Sequence, residues 1–292
     1  ATTGLPRFRN ASFDVKFPFG YLNISDEDLP LKVLVTGWSP FIPTDEDSSG
    51  MPVASFEYKF INTGNTPLEI VFSYNAKNFL KTDNGKNSIR PFQNGFILTD
   101  AGTTEKPQKS EFVIFTNDAA TVVDHCWFRG GWWDPLTMAW NTVKNGEVKP
   151  VAAVESDAPG ASLFVPFTIA AGKEKTISVM MAWYTPDSEL TFGGIGMRKE
   201  NCDPASGCCN SPADIGLDKY DKDFAGKFYK PWYSSRFKTI EEVAAFWRSQ
   251  YDELKSKSNL FKNSFYNSSL PPEVIEAVAA NLTILKSPTV MR

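Results

Sequence analysis

Residues 31–78 read LKVLVTGWSPFIPTDEDSSGMPVASFEYKFINTGNTPLEIVFSYNAKN, and this stretch decides the fold class. Within it, residues 53–61 alternate strictly between polar side chains and an apolar set, which is Ala54, Phe56, Tyr58 and Phe60. Residues 68–75 repeat the pattern. A period of two indicates a strand that is buried on one face only. Because residues 62–67 are rich in turn formers, the sequence predicts an antiparallel hairpin with one aromatic and one solvated face.

Further strands are predicted on both sides of this hairpin, at residues 13–19, 31–35, 95–99 and 111–117. Residues 81–94 read as loop, with asparagine–glycine pairs as turn signals. Residues 161–169 and 173–184 form a second predicted hairpin. About nine strands without a long helix predict a mainly β fold, an antiparallel β-sandwich over residues 1–238.

The pattern becomes helical at residue 239. Thr239 and Glu242 have the spacing of a capping box, and apolar residues then recur at helical spacing. A second helix is predicted from Pro271 and Pro272, because proline suits the first turn of a helix. It extends to about residue 286. Residues 239–292 are therefore predicted to form a helical segment after the sandwich.

Composition and charge exclude several classes of function. The chain has 292 residues and a formal net charge of −4, so no basic surface points to nucleic acid as a partner. No apolar run of about 18 residues is present, so no transmembrane segment is predicted. Hydrophobic residues make up 42% and charged residues 22%, which is typical of a globular protein.

Three of the four cysteines, Cys202, Cys208 and Cys209, lie in one polar segment, NCDPASGCCN. Cys202 is close enough in sequence to pair with Cys208 or Cys209. A site that binds a metal through these three residues, or three free thiols, are the alternatives. A disulfide would require an oxidising compartment, and on that condition a secreted or periplasmic location is favoured.

Residues 35–63, VTGWSPFIPTDEDSSGMPVASFEYKFINT, resemble the N-terminal domain of glycoside hydrolase family 116, the bile-acid β-glucosidase or non-lysosomal glucosylceramidase family. Residues 264–292, SFYNSSLPPEVIEAVAANLTILKSPTVMR, resemble the family's crossing into its catalytic domain. The resemblance implies that a catalytic (α/α)6 barrel follows, with residues 239–292 as the helical linker and start of that barrel. The chain differs from the family pattern in two places. The cysteine segment is not typical of the family, and the family's glycine-rich P-L-G-G-I-G segment is absent.

The resemblance also implies where the chemistry lies. The family's retaining β-glucosidases carry a Glu nucleophile and an Asp acid/base on the barrel, beyond Arg292, so no catalytic residue is predicted within this chain. No cofactor or metal is predicted either. His125 is the only histidine, and it is predicted to be a core or interface residue. The acidic residues 45–47 lack the spacing of a calcium loop, so they are predicted to form a solvated loop at a domain interface.

The segment after residue 126 is unusually rich in tryptophan. It reads WFRGGWWDPLTMAW from Trp127 to Trp140 and holds four indoles. They are predicted either to pack over the sandwich or to face a ligand or another domain, because an exposed cluster of this size would leave a large apolar patch. The candidate ligand or interface residues are Trp127, Trp132, Trp133 and Asp134. Asp134 followed by proline is typical of a turn or a helix start.

Three functions are compatible with these observations. The first is a non-catalytic N-terminal β-sandwich of a family 116-like β-glucosidase, which supports the barrel and lends loops to the rim of its active site. Its partners are the catalytic barrel and the carbohydrate or glycolipid substrate of the parent enzyme. The second is a free-standing carbohydrate-binding module that stacks sugars on the tryptophans. The third is an enzyme complete in itself.

Overall fold

A computed structural model describes residues 6–80, 87–100, 109–187 and 230–286. These residues contain eleven strands in two antiparallel sheets. The strands are β1 Asn10–Lys16, β2 Phe19–Ser25, β3 Leu31–Trp38, β4 Val53–Asn62, β5 Leu68–Lys77, β6 Asn87–Phe92, β7 Gly95–Asp100, β8 Ser110–Thr116, β9 Val122–Asp124, β10 Gly160–Ile169 and β11 Glu174–Tyr184. The helices are α1 Glu46–Ser49, α2 Pro135–Lys144, α3 Tyr233–Arg236, α4 Ile240–Tyr266 and α5 Pro272–Leu282. A 3-10 turn, Thr283–Lys286, follows α5.

The two sheets face each other across one apolar core. The large sheet has eight strands in the order β1-β2-β3-β4-β11-β8-β7-β6, and the small one has the order β5-β10-β9. Ile177 and Val179 of β11 and Leu163 and Val165 of β10 meet in this core and are fully buried. The prediction of a mainly β, antiparallel sandwich of nine or more strands is confirmed.

The pairing within both predicted hairpins is wrong. β4 pairs with β3 and β11, whereas β5 pairs with β10 in the other sheet. The chain also crosses between the sheets from β10 to β11. The aromatic faces of β4 and β5 therefore meet across the core instead of lying side by side, and the Tyr58 and Phe72 rings are 4.8 Å apart. Burial between two sheets removes more apolar surface from water than a hairpin with one solvated side.

Two local assignments also differ from the structure. The strand predicted at residues 13–19 is divided by a turn at the Phe17–Pro18 peptide, which is cis, and its halves belong to β1 and β2. Part of the predicted loop at residues 81–94 is β6, which pairs with β7. Asn94 closes this hairpin with φ of 57°. Asparagine tolerates that left-handed conformation better than most residues.

Helix α4 covers the outer face of the large sheet. Its N-cap is Thr239, whose Oγ1 accepts the Glu242 N–H at 3.3 Å, as the predicted capping box requires. Trp247 is fully buried against Trp38 and Tyr251, with ring centroids 5.1 and 4.9 Å away. The long helix thus completes a third layer on the sandwich.

Polar contacts hold the same helix in register. The Tyr251 hydroxyl donates to Glu57 Oε1 of β4 at 2.7 Å, and Lys255 Nζ lies 2.6 Å from the same carboxylate. Near the helix N-terminus, Arg90 bridges Glu241 at 2.9 Å and Glu111 at 2.7 Å. These contacts link α4 to three strands of the sheet. The predicted division of the chain at residue 239 stays a prediction, and the helix that follows it shares the core of the sheet.

Helix α5 packs on the distal half of α4. Ala279 lies with Phe17 and Phe41 in a small separate apolar cluster, to which Phe261 and Leu282 contribute. The adjacent flank of α5 is open, since Val274 and Val278 are each 44% exposed. Across the described ranges, no helix combines the length and apolar character needed to span a membrane. The predicted disulfide of Cys202 with Cys208 or Cys209 lies outside the described residues.

Candidate functional site

Two long loops of the chain emerge at the same end of the sandwich. The two crossings between the sheets, after Asn62 and after Ile169, lie at the opposite end. The end of β4 there pairs with the first residues of β3 and β11. The segment after β9 leaves near Gly160, and the segment from β3 to β4 leaves near Ala182. The tryptophan segment and the segment that carries the family resemblance therefore lie at the same end of the sandwich.

Trp127 lies inside the sandwich. It is 3% exposed, and its Nε1 donates to Ser162 Oγ at 2.8 Å. Its ring lies against Gly160, where an added Cβ would come within 2.5 Å of the indole and 2.7 Å of the Ala76 carbonyl oxygen. A glycine is required at the start of β10 because the indole occupies the place of a side chain. Trp127 is not accessible to a ligand.

Trp132 and Trp133 lie on the surface, 95% and 64% exposed. The segment before them is held by Arg129, whose Nη1 donates to the Ser156 carbonyl oxygen at 3.3 Å. Gly131 is surrounded by open space, since a Cβ added there would meet no described group within 4 Å. Both indoles therefore offer flat apolar faces to whatever contacts this end of the sandwich.

Asp134 is the N-cap of α2. It accepts the Thr137 N–H at 2.9 Å and the Thr137 hydroxyl. The hydrogen bond from the Thr137 hydroxyl is the larger cause, and the one from the N–H the next, of a lowered pKa of the Asp134 carboxyl, which keeps it charged. None of the residues of α2 is buried. The carboxylate thus has a local structural role, which is to start α2.

The segment between β3 and β4 is tightly tied together. Ser49 Oγ accepts the Ile42 N–H at 2.8 Å and donates to the Ile42 carbonyl oxygen at 3.0 Å, which closes the loop on itself. The Phe41 N–H donates to Ser258 of α4, a fully buried residue, at 3.1 Å. The Ser48 N–H donates to Asp45 and lowers the pKa of that carboxyl. The acidic run is therefore an ordered loop that contains the short helix α1.

Thr44 in this loop adopts φ of 67°. A β-branched residue in the left-handed region costs roughly 1–3 kcal/mol, and such strain concentrates at ligand clamps and active sites. The Asp45 N–H donates to the Ile42 carbonyl oxygen at 3.1 Å, which closes a tight turn around Thr44. The fold therefore holds one strained residue at the tip of the segment that resembles the family.

A cleft of about 880 Å³ opens beside Thr44. One wall is the acidic loop, with Glu46 and Asp47. A second wall is the segment that leads into α3, with Trp232 and Tyr233, and Leu285 of the terminal 3-10 turn completes the lining. Sequence reasoning did not single out Trp232, because a tryptophan between Pro231 and Tyr233 is equally typical of a core residue. Its exposed fraction of 36% depends on the packing of the segment.

The side chains that form this wall are firmly placed. Tyr233 is buried, and its hydroxyl donates to the Thr185 carbonyl oxygen and accepts the Thr185 N–H, both at 3.0 Å. The Arg236 guanidinium lies 5.1 Å from the Trp232 ring centroid and 3.8 Å from Asp47. The arginine thus links the two walls through a cation–π contact and an ion pair.

The residues around His125 do not form a catalytic arrangement. His125 Nδ1 is 2.9 Å from the Val151 carbonyl oxygen, and Asp124 accepts the Cys126 N–H at 2.9 Å. Burial raises the pKa of the Asp124 carboxyl and of the Cys126 thiol, so the thiol is held in its unreactive form. Among the described residues, no group of three or more histidines, cysteines or acids is placed to hold a metal ion.

The chain is a glycosyl-hydrolase N-terminal domain, and it belongs to family 116. The family model described as "beta-glucosidase 2, glycosyl-hydrolase family 116 N-term" matches residues 3–254, which confirms the resemblance seen in the sequence. No curated protein matches. Among solved structures, the chain is similar to a protein assigned as a kojibiose phosphorylase from the human microbiome, with 15% identity and a TM-score of 0.38. That similarity covers 85% of this chain and only 23% of the other chain.

Proposed function

We propose that this chain is the non-catalytic β-sandwich of a family 116 β-glucosidase of the glucosylceramidase-like type. In this proposal it supports a catalytic (α/α)6 barrel and lends a loop to the rim of the active site. Residues 239–292 are the helical linker and the start of that barrel. The parent reaction is hydrolysis of a β-linked glucoside or glycolipid.

The observation that carries the proposal is the broad apolar stripe of α5, which is buried along only one of its flanks. Ile275 and Ala279 are 6% and 7% exposed and pack inward, whereas Val274 and Val278, about 100° further around the helix, are each 44% exposed. Burying one such side chain contributes roughly 1.5–3 kcal/mol, so a second packing partner for this helix would be strongly favoured. A neighbouring helix of the barrel has the required shape and chemistry.

The titratable groups support a non-catalytic role. Hydrolysis of a glycoside uses two carboxyl groups that flank the sugar. The Asp124 carboxyl has the raised pKa that suits a general acid, but it is 7% exposed and holds a backbone N–H. The carboxylates at the cleft, Glu46 and Asp47, are exposed, and Asp47 faces Arg236. None of these groups combines access to a sugar with a favoured acid form.

The alternative is a free-standing carbohydrate-binding module. The observation that favours it is the exposure of Trp132 and Trp133, 95% and 64%, on the loop before α2. Flat indole faces stack on the C–H faces of pyranose rings, and two adjacent indoles would extend the platform. In the first proposal, the same two residues face the catalytic domain.

Two measurements test the proposed function. The purified chain is expected to show no turnover of an aryl β-glucoside, and turnover that a single Asp or Glu substitution abolishes would refute a non-catalytic role. Hydrogen exchange is expected to be faster across α5 than across β4, because one side of α5 lacks its partner. Equal protection of the two elements would show that α5 is complete without a barrel.

A further inference from the structure

Among the described residues, the cleft beside Thr44 has the features of a preformed binding site. Its volume, about 880 Å³, lies in the range of small-molecule pockets. Both of its walls are held by contacts inside the sandwich, through Ser49 on the acidic loop and Tyr233 on the opposite segment. The Phe41 backbone is fixed to α4 by Ser258. A ligand would therefore meet a shape that exists before binding, which lowers the entropic cost of association.

The lining of the cleft determines the class of ligand. Phe41, Ile42 and Leu285 supply apolar surface, and Trp232 supplies an aromatic ring that is partly exposed. Glu46 and Asp47 supply exposed carboxylates, which accept hydrogen bonds from hydroxyl groups. Apolar walls with a few hydrogen-bond acceptors match a ring that has C–H faces and a rim of hydroxyls.

Charge disfavours an anionic ligand. Arg236, the cationic side chain that joins the two walls, is already engaged by Asp47 at 3.8 Å and by the Trp232 ring at 5.1 Å. Glu46 and Asp47 would repel a phosphate or a carboxylate. A bare metal cation prefers a shell of oxygen ligands, so the aromatic and apolar side chains of the lining do not suit it.

From these features we infer that the cleft binds a neutral hexose unit, with Trp232 as the stacking surface and Glu46 and Asp47 as acceptors of the sugar hydroxyls. Under the proposed function, on which this inference rests, the unit belongs to the β-linked substrate of the parent enzyme. The cleft then adds a binding subsite that the sandwich contributes from its own residues. Strained Thr44 fixes the rim of this subsite.

The test is ligand-observed NMR on the 292-residue chain, with methyl β-D-glucoside and cellobiose as probes and inorganic phosphate as the anionic comparison. Saturable binding of a sugar is expected, and phosphate is expected not to bind. The variant Trp232→Ala is expected to weaken sugar binding roughly tenfold or more, as the loss of a central aromatic contact does. Glu46→Gln is expected to weaken it by a similar factor, because it replaces a charged acceptor.

Phe13→Ala is the control, since it removes a ring that is 70% exposed on β1, away from the cleft, and should leave sugar affinity unchanged. Trp132→Ala separates the cleft from the alternative sugar platform on the loop before α2. Circular dichroism establishes that each variant is folded. Glu46→Gln tests the cleft independently if Trp232→Ala does not fold, because Glu46 is exposed.

Three results would overturn the inference: no saturable sugar binding, binding that is lost in Trp132→Ala and kept in Trp232→Ala, or preferential binding of phosphate. The first would leave the proposed function intact, because that proposal is tested by the absence of turnover and by exchange in α5. The second would favour the free-standing binding module.

Discussion

Replacing Trp247 by alanine tests whether α4 is part of the cooperative sandwich. Trp247 is fully buried against Trp38 and Tyr251, so the variant loses the transfer free energy of an indole and leaves a cavity under the helix. Substitutions of this kind cost about 3–5 kcal/mol. In a chain of this length, that corresponds to a fall in melting temperature of about 5–10 °C. Urea unfolding followed by far-UV circular dichroism would measure the free energy, and a thermal scan would measure the melting temperature.

Two further variants make the experiment specific. Trp247→Phe should cost much less than Trp247→Ala, because it keeps most of the apolar volume and removes a buried indole N–H that has no acceptor among the described residues. Leu260→Ala alters the same helix at a position that is 68% exposed and should change the free energy of unfolding by about 0.5 kcal/mol or less. If Trp247→Ala lowered stability no more than Leu260→Ala, then α4 would not share the core of the sheet.

Three further predictions follow from the packing. A chain that ends at Lys238 should be insoluble or molten, whereas one that ends at Ser269 should fold, because only the second retains α4 over the outer face of the large sheet; sedimentation and near-UV circular dichroism would decide this. Gly160→Ala should cost about 1–3 kcal/mol in a urea titration, since its Cβ would overlap the Trp127 ring, whereas Gly131→Ala, which faces open space, should be close to neutral. Burial raises the pKa of Tyr58 from 10.0 to about 12, so the unfolded chain ionises first and stability is lost as pH rises from 10 to 12. Tyr58→Phe should show a shallower loss over that pH interval, and identical slopes for the two proteins would contradict the assignment.

The candidate site illustrates the limits of local patterns. Asp134 followed by proline correctly indicated a helix start, because an N-cap depends on residues within one turn. The four indoles after residue 126 could not be sorted into buried and exposed ones, since Trp127 is buried only because Gly160, more than thirty residues later, leaves room for its ring. Trp232 becomes part of a cleft only when residues 41–50 and Leu285 are brought beside it.

The amino-acid sequence alone determined the positions of most strands, the face of each strand that is apolar, the capped start of α4 at Thr239 and the family resemblance of residues 35–63. These features depend on neighbouring residues, whose alternation and hydrogen-bonding capacity are read directly along the chain. Only the tertiary structure decided which strands pair. A hairpin and a crossing between two sheets have the same local alternation, and they differ in whether the aromatic faces of β4 and β5 lie side by side or meet across a core. The structure has Tyr58 and Phe60 against Phe72 at 4.8 and 5.7 Å, because closing two sheets over those rings buries both aromatic faces at once.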